Sequence, residues 1–136
     1  MKTFYLEMLT PERNFFSGEV EGITLTAQDG EVQILANHAP VVVGLQPSII
    51  WLNIDGKRKY CANGEGFAVV EENKVFVMCQ TMEWPEEIDN ERVSKAIEEH
   101  SRKLETAKSM AEYRLSKMTL SRAIARMKVK NTKPME

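Results

Sequence analysis

The fold of this 136-residue chain is decided by one short segment, Met82-Glu83-Trp84-Pro85-Glu86-Glu87. All seven glycines lie before it, at or before Gly66, and no proline occurs between Pro85 and Pro134. Glycine and proline are the residues that most strongly interrupt regular structure. We therefore expect short strands joined by turns before Pro85 and long helices after it. The sequence predicts two units, residues 1–84 and residues 85–136.

The first unit reads as a succession of short strands. Phe4, Leu6 and Met8 alternate with more polar residues, which is the period of a strand with one buried face. Asp29-Gly30 and Asp55-Gly56 are hairpin signals, because glycine adopts positive φ without steric cost. Strands are predicted at residues 3–9, 23–27, 32–35, 41–45, 49–54, 57–62, 67–70 and 75–79. Strands at this spacing predict an antiparallel β-sandwich, or flattened barrel.

The second unit has helical periodicity. Val93, Ile97, His100 and Leu104 form one stripe of a first helix, which Asp89 is placed to cap. His100 is expected to be packed and hydrogen-bonded within that stripe. A second helix is predicted from the capping-box pattern of residues 109–112. The residues predicted to form its apolar stripe are Tyr113, Leu120, Ile124 and Met127.

The two helices are expected to pack as an antiparallel hairpin on each other or on the sandwich. Residues 105–108, between them, contain neither glycine nor proline, so one continuous helix is also allowed. Hairpin and extended forms can then lie within a few kcal/mol, a gap that a ligand or partner is able to bias. A fixed hairpin is the simpler alternative.

Charge is distributed unevenly between the two units. Residues 1–84 contain 6 Lys and Arg against 11 Asp and Glu, whereas residues 85–136 contain 12 against 9. From Lys108 to Lys133 there are eight basic residues and one acid, Glu112. A basic helical arm on an acidic body favours an anionic partner, such as a nucleotide, a nucleic acid, an anionic lipid or an acidic protein surface. A solvated helix face is the alternative.

The sequence contains no recognisable catalytic constellation and no metal-binding pattern. It has no GxxxxGK[ST] loop and no GxSxG elbow, and its only histidines are His38 and His100. Cys61 and Cys79 lack a CxxC spacing and are expected to be buried thiols on strands. The N-terminal segment MKTFYLEMLTPER has no apolar signal-peptide region. We therefore expect a binding or regulatory protein with no catalytic residue, no metal and no required cofactor.

Several segments, in one order, resemble a known family. They are Thr10-Pro11-Glu12-Arg13, Gly18-Glu19-Val20, Asp29-Gly30-Glu31, the ILANHAP of residues 34–40, the GFAVV of residues 66–70 and the PEEIDNER of residues 85–92. Together they resemble the epsilon subunit of bacterial F-type ATP synthases over essentially the whole chain. The resemblance implies a ten-stranded sandwich followed by a two-helix hairpin, in agreement with the patterns above.

The resemblance also implies a place in the rotor, or central stalk, peripheral to the bacterial cell membrane on its cytoplasmic side. The sandwich is expected to contact the gamma subunit and the ring of c subunits, with Glu31 and His38 facing that ring, and to couple ion flow to ATP synthesis. The helices are expected to extend along gamma and inhibit ATP hydrolysis at the alpha and beta subunits. The basic residues assigned to that contact are Arg114, Lys117, Arg122, Arg126 and Lys128.

Some relatives bind ATP in the folded hairpin, and the resemblance implies ATP as a regulatory ligand here. The matching residues are Glu83, Ile88, Asp89, Arg92, Arg122 and Arg126. Arg122 and Arg126 lie one turn apart and are expected to clamp phosphates. Two positions depart from the pattern. Val93 replaces a usual alanine, whose smaller side chain leaves room for a base, and Glu99 replaces a basic residue and would repel phosphate.

The leading hypothesis is a non-catalytic rotor subunit and inhibitor that reaches the membrane only through its complex. An ATP-sensing module gated by nucleotide is the alternative, and it would bind ATP in isolation. A nucleic-acid partner is disfavoured, because the body is acidic and lacks a basic patch interleaved with aromatic residues. A small enzyme would need a site that the sequence does not contain.

Overall fold

The computed structural model describes residues 2–131; Met1 and residues 132–136, the end of the predicted helical unit, lie outside the described residues. Ten strands are followed by a short 3-10 helix and two α-helices. The strands are β1 (Phe4–Leu9), β2 (Asn14–Val20), β3 (Gly22–Ala27), β4 (Gly30–Leu35), β5 (Val41–Leu45), β6 (Ser48–Ile54), β7 (Lys57–Asn63), β8 (Gly66–Glu71), β9 (Lys74–Cys79) and β10 (Met82–Glu83). The 3-10 helix is Pro85–Glu87, and the α-helices are α1 (Asn90–Glu105) and α2 (Met110–Asn131). The predicted sandwich with a C-terminal helical hairpin is confirmed.

All ten strands belong to one sheet that folds over on itself. Its order is β10-β7-β6-β3-β5-β8-β9-β1-β2, and β4 pairs with β3 off this path. Every pairing is antiparallel except that of β1 with β9, where Tyr5 lies opposite Lys74 and Leu9 opposite Met78. The predicted antiparallel sandwich is confirmed, and this parallel pair is the one exception among the described strands.

Two of the ten strands were not located by the residue patterns. β2 pairs with β1, but its adjacent Phe15 and Phe16 and its Gly18 break the alternation by which a strand is recognised. β10 has only two residues, Met82 and Glu83, which pair with Ala62 and Asn63 of β7. This short strand fixes the start of the helical unit against the sheet.

The turns follow the predicted chemistry. Asp55 and Gly56 both have positive φ, 50° and 75°, as a tight two-residue hairpin requires, and Gly30 has a φ of 128°. Gly66 is needed for another reason. A Cβ at that position would lie 2.0 Å from the backbone oxygen of Met78, so only glycine allows β8 to approach β9 there.

Two apolar clusters organise the molecule. The larger fills the sandwich; its fully buried members include Phe4, Leu6, Met8, Val20, Ile23, Leu25, Ile34, Ile50, Leu52, Val75 and Val77. The smaller lies between the outer face of β6 and β7 and the helices. It consists of Ala62, Ile88, Val93 and Val129, with Ile49, Tyr60, Ile97 and Met127 packed against it. The helical unit is therefore held to the sandwich by a separate, smaller apolar contact.

The first helix follows the prediction, except at His100. Asp89 caps α1 by accepting hydrogen bonds from the backbone N–H groups of Glu91 (2.9 Å) and Arg92 (3.3 Å). Val93 is buried. His100 lies on the inner stripe, but its Nδ1 is buried without a hydrogen-bond partner, so the expected hydrogen bond at this atom is not found.

The predicted stripe of α2 is partly wrong. Ser109 caps this helix through the N–H of Glu112. Tyr113 and Ile124 are exposed, at 41% and 39%. The buried residues of α2 are instead Ser116, Ala123, Ala125 and Val129. The physical reason is that α2 packs against both α1 and the sheet, so that small side chains, which allow close approach on two sides, form its buried surface.

Candidate functional site

The junction between sandwich and helices is fixed by several contacts. Trp84 stacks on Phe15 of β2 with ring centroids 4.4 Å apart. Nη2 of Arg13 lies 2.8 Å and 2.9 Å from the two carboxylate oxygens of Glu87. Glu87 also accepts a hydrogen bond of 2.9 Å from the backbone N–H of Trp84. The turn after β1 and the strand β2 therefore determine where the helical unit begins.

A cleft of about 250 Å³ lies beside this junction, between the two helices. Its lining residues are Glu83, Glu87, Asp89, Arg92, Val93, Ala96, Ala123 and Arg126. The floor is made of small or buried apolar side chains, and charged groups surround it. Four of the six residues predicted for nucleotide binding, namely Glu83, Asp89, Arg92 and Arg126, are brought together here.

The carboxylates of this cleft already have partners within the chain. Nε of Arg126 donates a short hydrogen bond, 2.5 Å, to Oε1 of Glu83. The side chains of both residues are about one quarter exposed, at 27% and 26%. The Asp89 carboxylate caps α1. The charge of the cleft is therefore largely balanced internally, and Arg92 is the exposed cation at its edge.

Arg122 does not line the cleft. It reaches the sandwich, where its Nε lies 2.8 Å from Oε2 of Glu65 and its Nη2 bonds the other carboxylate oxygen. This bidentate hydrogen bonding lowers the pKa of Glu65 below its ordinary value and raises the pKa of Arg122. In this fold each guanidinium is turned to a different carboxylate of the sandwich, so Arg122 and Arg126 are not brought to one site, and the phosphate clamp stays a prediction.

The other predicted nucleotide residue, Ile88, is buried, at 5% exposure, in the smaller apolar cluster. Ile88 therefore belongs to the same cluster as Val93, which lines the cleft, but does not line the cleft itself. Glu99, expected to repel phosphate, lies outside the lining residues. It pairs with Lys103 at 3.0 Å on the exposed side of α1, and this pairing lowers the pKa of Glu99.

The two residues predicted to face a ring of c subunits are not neighbours. Glu31 lies within β4, opposite Thr26, and is exposed. His38 follows the other end of β4, where its backbone N–H donates to the backbone oxygen of Leu35. With a rise of about 3.4 Å per residue, most of the length of β4 separates them. The structure thus provides two separate surface positions, and Glu31 lies inside a strand that was predicted to begin at residue 32.

The five basic residues of α2 that were predicted for the inhibitory contact divide into two groups. Arg122 and Arg126 face the sandwich as described, whereas Arg114, Lys117 and Lys128 are exposed. Arg114 and Lys117 lie beside Met118 along a groove formed with Gln46 and Pro47. Leu115, at 68% exposure, is also on this half of the helix. The N-terminal half of α2 therefore presents basic and apolar side chains together.

A second exposed apolar surface lies on the sandwich. In the register of β5, β8 and β9, Val42, Val69 and Phe76 form one cross-strand row, and Phe67 and Met78 extend the next. Val42 is 68% and Phe67 43% exposed, whereas the alternate residues of β8 and β9 are buried. We call these five residues the apolar outer face. Exposed apolar patches of this kind mark interaction surfaces.

Both cysteines are buried free thiols on strands, as predicted. Burial raises the pKa of Cys61, and it raises that of Cys79 to about 12. These thiols are therefore unreactive at neutral pH. Within residues 2–131, no cluster of three or more potential metal ligands is found. No helix in this part of the chain is long and apolar enough to cross a membrane.

Sequence reasoning missed Arg13, Glu65 and Glu87. Glu87 lies 74 residues from Arg13, and Glu65 lies 57 residues from Arg122. The one available signal was the acidic excess of the first unit against the basic excess of the second. This charge difference indicates attraction between the two units, but it does not identify which residues form the ion pairs.

Comparison with known proteins agrees with this architecture. Residues 3–85 match the family model described as ATP synthase, Delta/Epsilon chain, beta-sandwich domain. The chain is 41% identical to the ATP synthase epsilon chain of Ruminiclostridium cellulolyticum, covering 96% of this chain and 98% of that one. It is 40% identical to the epsilon chain of Caldicellulosiruptor bescii, covering 95% and 94%.

Solved structures of ATP synthases contain chains with the same fold. One such chain comes from the mitochondrial ATP synthase of Euglena gracilis, solved as an assembly of OSCP, F1 and c-ring. It superposes on this chain with a TM-score of 0.79 at 25% sequence identity. The superposition covers 90% of this chain and 78% of that one. A chain from the central stalk and c-ring of the Tetrahymena thermophila enzyme shares the fold at 12% identity, with a TM-score of 0.62 over 96% of this chain and 98% of that one. The chain therefore belongs to the ATP synthase delta/epsilon family and is similar to its epsilon chains over nearly its whole length.

Proposed function

We propose that the chain is a non-catalytic subunit of the rotor, in which the sandwich binds the gamma subunit and the c-subunit ring and the helices restrain ATP hydrolysis. It would sit at the bacterial cell membrane only through its complex, on the cytoplasmic side. The observation that carries the proposal is the division of the molecule. A sandwich with a complete core of its own is joined to a helical hairpin by a small apolar cluster and ion pairs.

The sandwich carries a surface suited to permanent binding. The apolar outer face is centred on Val42 and Phe67, and no other part of the described chain covers it. We assign it to the gamma subunit, because a subunit interface requires apolar area at its centre. Glu31 and His38, at the two ends of β4, remain the proposed contacts to the c ring. Val42→Glu is expected to prevent assembly into the complex without unfolding the isolated chain.

The hairpin carries a surface suited to a conditional contact. Arg114 and Lys117 are exposed beside Leu115 and Met118, so cations and apolar groups lie together on α2. An extended helical unit would carry them, with Arg122, Arg126 and Lys128, to an acidic surface of the alpha and beta subunits. Opposite charges across such an interface set its register and speed its formation. The α1–α2 connection contains no glycine or proline to prevent the extended form.

The test compares ATP hydrolysis by the assembled enzyme with wild-type chain and with Arg114→Ala/Lys117→Ala. Faster hydrolysis by the variant is expected, because the inhibitory contact loses two cations. Lys95→Ala, which removes an exposed cation from α1, is the matched control and is expected to behave as wild type. Equal hydrolysis rates for all three enzymes would contradict the inhibitory role of α2.

A second function, regulation by ATP bound in the folded hairpin, is supported by the cleft. Arg92 and Arg126 provide two guanidinium groups for a polyphosphate, and Ala96 and Ala123 leave room between the helices. The cleft, at about 250 Å³, is smaller than the pockets that usually hold ligands of this size, about 300–1,000 Å³. Binding therefore requires the cleft to widen, and Val93 is the side chain that limits it.

Calorimetric titration of ATP into the isolated chain tests this function. Arg92→Ala/Arg126→Ala is expected to remove binding and Val93→Ala to strengthen it. Arg102→Ala, on the exposed side of α1 and paired with Glu98, is the control. Absence of saturable binding at millimolar ATP in both the wild type and Val93→Ala would leave the helices responsive to protein partners alone.

A further inference from the structure

We propose that Glu65 and Glu83 of the sandwich form a two-point latch that holds α2 in the folded position through Arg122 and Arg126. The inference rests on the proposed function, in which the helices leave the sandwich, and it names the groups that set how readily they do so. The latch is a property of the folded chain itself and needs no ligand.

The geometry of both pairs supports the latch. Glu65 lies in the turn between β7 and β8, where its backbone oxygen accepts a hydrogen bond from the N–H of Gln80, and Glu83 lies in β10, so both carboxylates are carried by the sandwich. Arg122 and Arg126 are one helical turn apart on α2. Each pair therefore connects the sandwich to the same helix. Together they fix both the position of α2 along the sheet and its rotation about its own axis.

Burial makes these pairs different from the ion pairs on the exposed helix faces. The four side chains are 25–27% exposed, whereas Glu98 and Arg102 of α1 are 71% and 72% exposed. Exposed pairs contribute little, because water screens them and their side chains lose entropy on pairing. The partly buried pairs make charge-assisted hydrogen bonds, and Arg122 uses two donors.

The same two arginines belong to the basic surface proposed to bind the alpha and beta subunits. They cannot contact the sandwich carboxylates and a second acidic surface at once. The latch therefore competes with inhibition: it keeps α2 on the sandwich until an external acidic surface replaces Glu65 and Glu83. Weakening the latch is expected to increase inhibition, and removing the exposed cations Arg114 and Lys117 to decrease it.

Amide hydrogen exchange of the isolated full-length chain tests the latch. Glu65→Gln and Glu83→Gln keep the side-chain size and remove the charge. Each is expected to speed exchange in α2 about fivefold, and the double variant roughly 25-fold, the scale of a partly exposed charged hydrogen bond. Glu72→Gln, in the exposed β8–β9 turn, is the control and is expected to leave α2 unchanged. The exchanged pair Glu65→Arg/Arg122→Glu is expected to restore slow exchange relative to Glu65→Gln.

Unchanged exchange of α2 in the double variant, or failure of the exchanged pair to restore protection, would overturn the latch. The assembled enzyme then separates this result from the proposed inhibition. With Glu65→Gln/Glu83→Gln, slower ATP hydrolysis is expected. If α2 opens faster in the isolated chain but hydrolysis is unaffected, the latch stands and the inhibitory role fails. If α2 does not open faster, the latch fails whatever the hydrolysis rate.

Discussion

The contact between hairpin and sandwich can be weakened at one buried residue, Val129. This side chain is 0% exposed and lies in the smaller apolar cluster, between α2 and the strands β6 and β7. Val129→Ala removes two buried carbon groups, at about 0.8 kcal/mol each, and leaves a small cavity. We therefore expect the docked hairpin to lose about 2 kcal/mol, which changes the ratio of docked to undocked chains by roughly 30-fold.

The assay is residue-resolved amide exchange, with Val77→Ala as the matched control. Val77 is also 0% exposed, but it lies in the sandwich core, on β9. If the hairpin undocks while the sandwich stays folded, Val77→Ala destabilises docked and undocked chains equally and leaves the exchange of α2 unchanged. Val129→Ala accelerates it. Strand amides, which exchange through global unfolding, respond to both substitutions.

The reasoning would be refuted by equal acceleration of α2 in the two variants. That result would mean that the helices open only when the whole chain unfolds. A hairpin of that kind could not act as a conditional arm. The predicted independence of residues 1–84 from residues 85–136 would then also be wrong.

Three further predictions concern single groups. Gly66→Ala should lower the free energy of unfolding by about 3 kcal/mol or more, because the added Cβ would lie 2.0 Å from a backbone oxygen of β9. The loss is measured as a reduced urea midpoint. Gly44→Ala is the control and should leave the midpoint unchanged, because nothing lies within 4 Å of its added Cβ. Asp89→Ala should cost about 1 kcal/mol of α1 stability, measured as lost helical circular dichroism on heating, and an unchanged melting curve would show that the cap is dispensable. Arg122 lowers the pKa of Glu65, so this pair should stabilise the docked helix fully above about pH 4.3. The stabilisation should be lost as the pH falls through the lowered pKa of Glu65 in the folded chain. Undocking of the helix in acid should therefore be less steep in Glu65→Gln.

Much of the fold could be predicted because local chemistry specified it. Asp55-Gly56 has the two positive φ angles that its sequence indicates, and Asp89 caps α1 where an N-cap residue was expected. These features depend on residues a few positions apart. β2 was missed for the same reason: Phe15, Phe16 and Gly18 give no local alternation, and the strand forms because β1 is beside it.

The site was predictable only in part, because its long-range members depend on how α2 returns along the sheet. Glu83, Asp89 and Arg92 are close in sequence and were assigned together. Arg126 joins them because the hairpin closes, but Arg122, one turn earlier, faces Glu65 instead. No periodicity encodes that choice, since α2 has two buried sides and its rotation is set by packing of small residues such as Ala123 and Ala125.

The uneven charge of the two units acquires a physical meaning from these contacts. An acidic sandwich attracts the basic helix that it carries, so the folded hairpin has an electrostatic partner within its own chain. Two partly exposed pairs contribute a few kcal/mol at most, which leaves the balance within reach of a competing surface. Stronger internal pairing would keep the helices on the sandwich permanently, and weaker pairing would leave them extended. The proposed inhibitory role requires the intermediate strength, and the partial burial of Glu65 and Glu83 favours it.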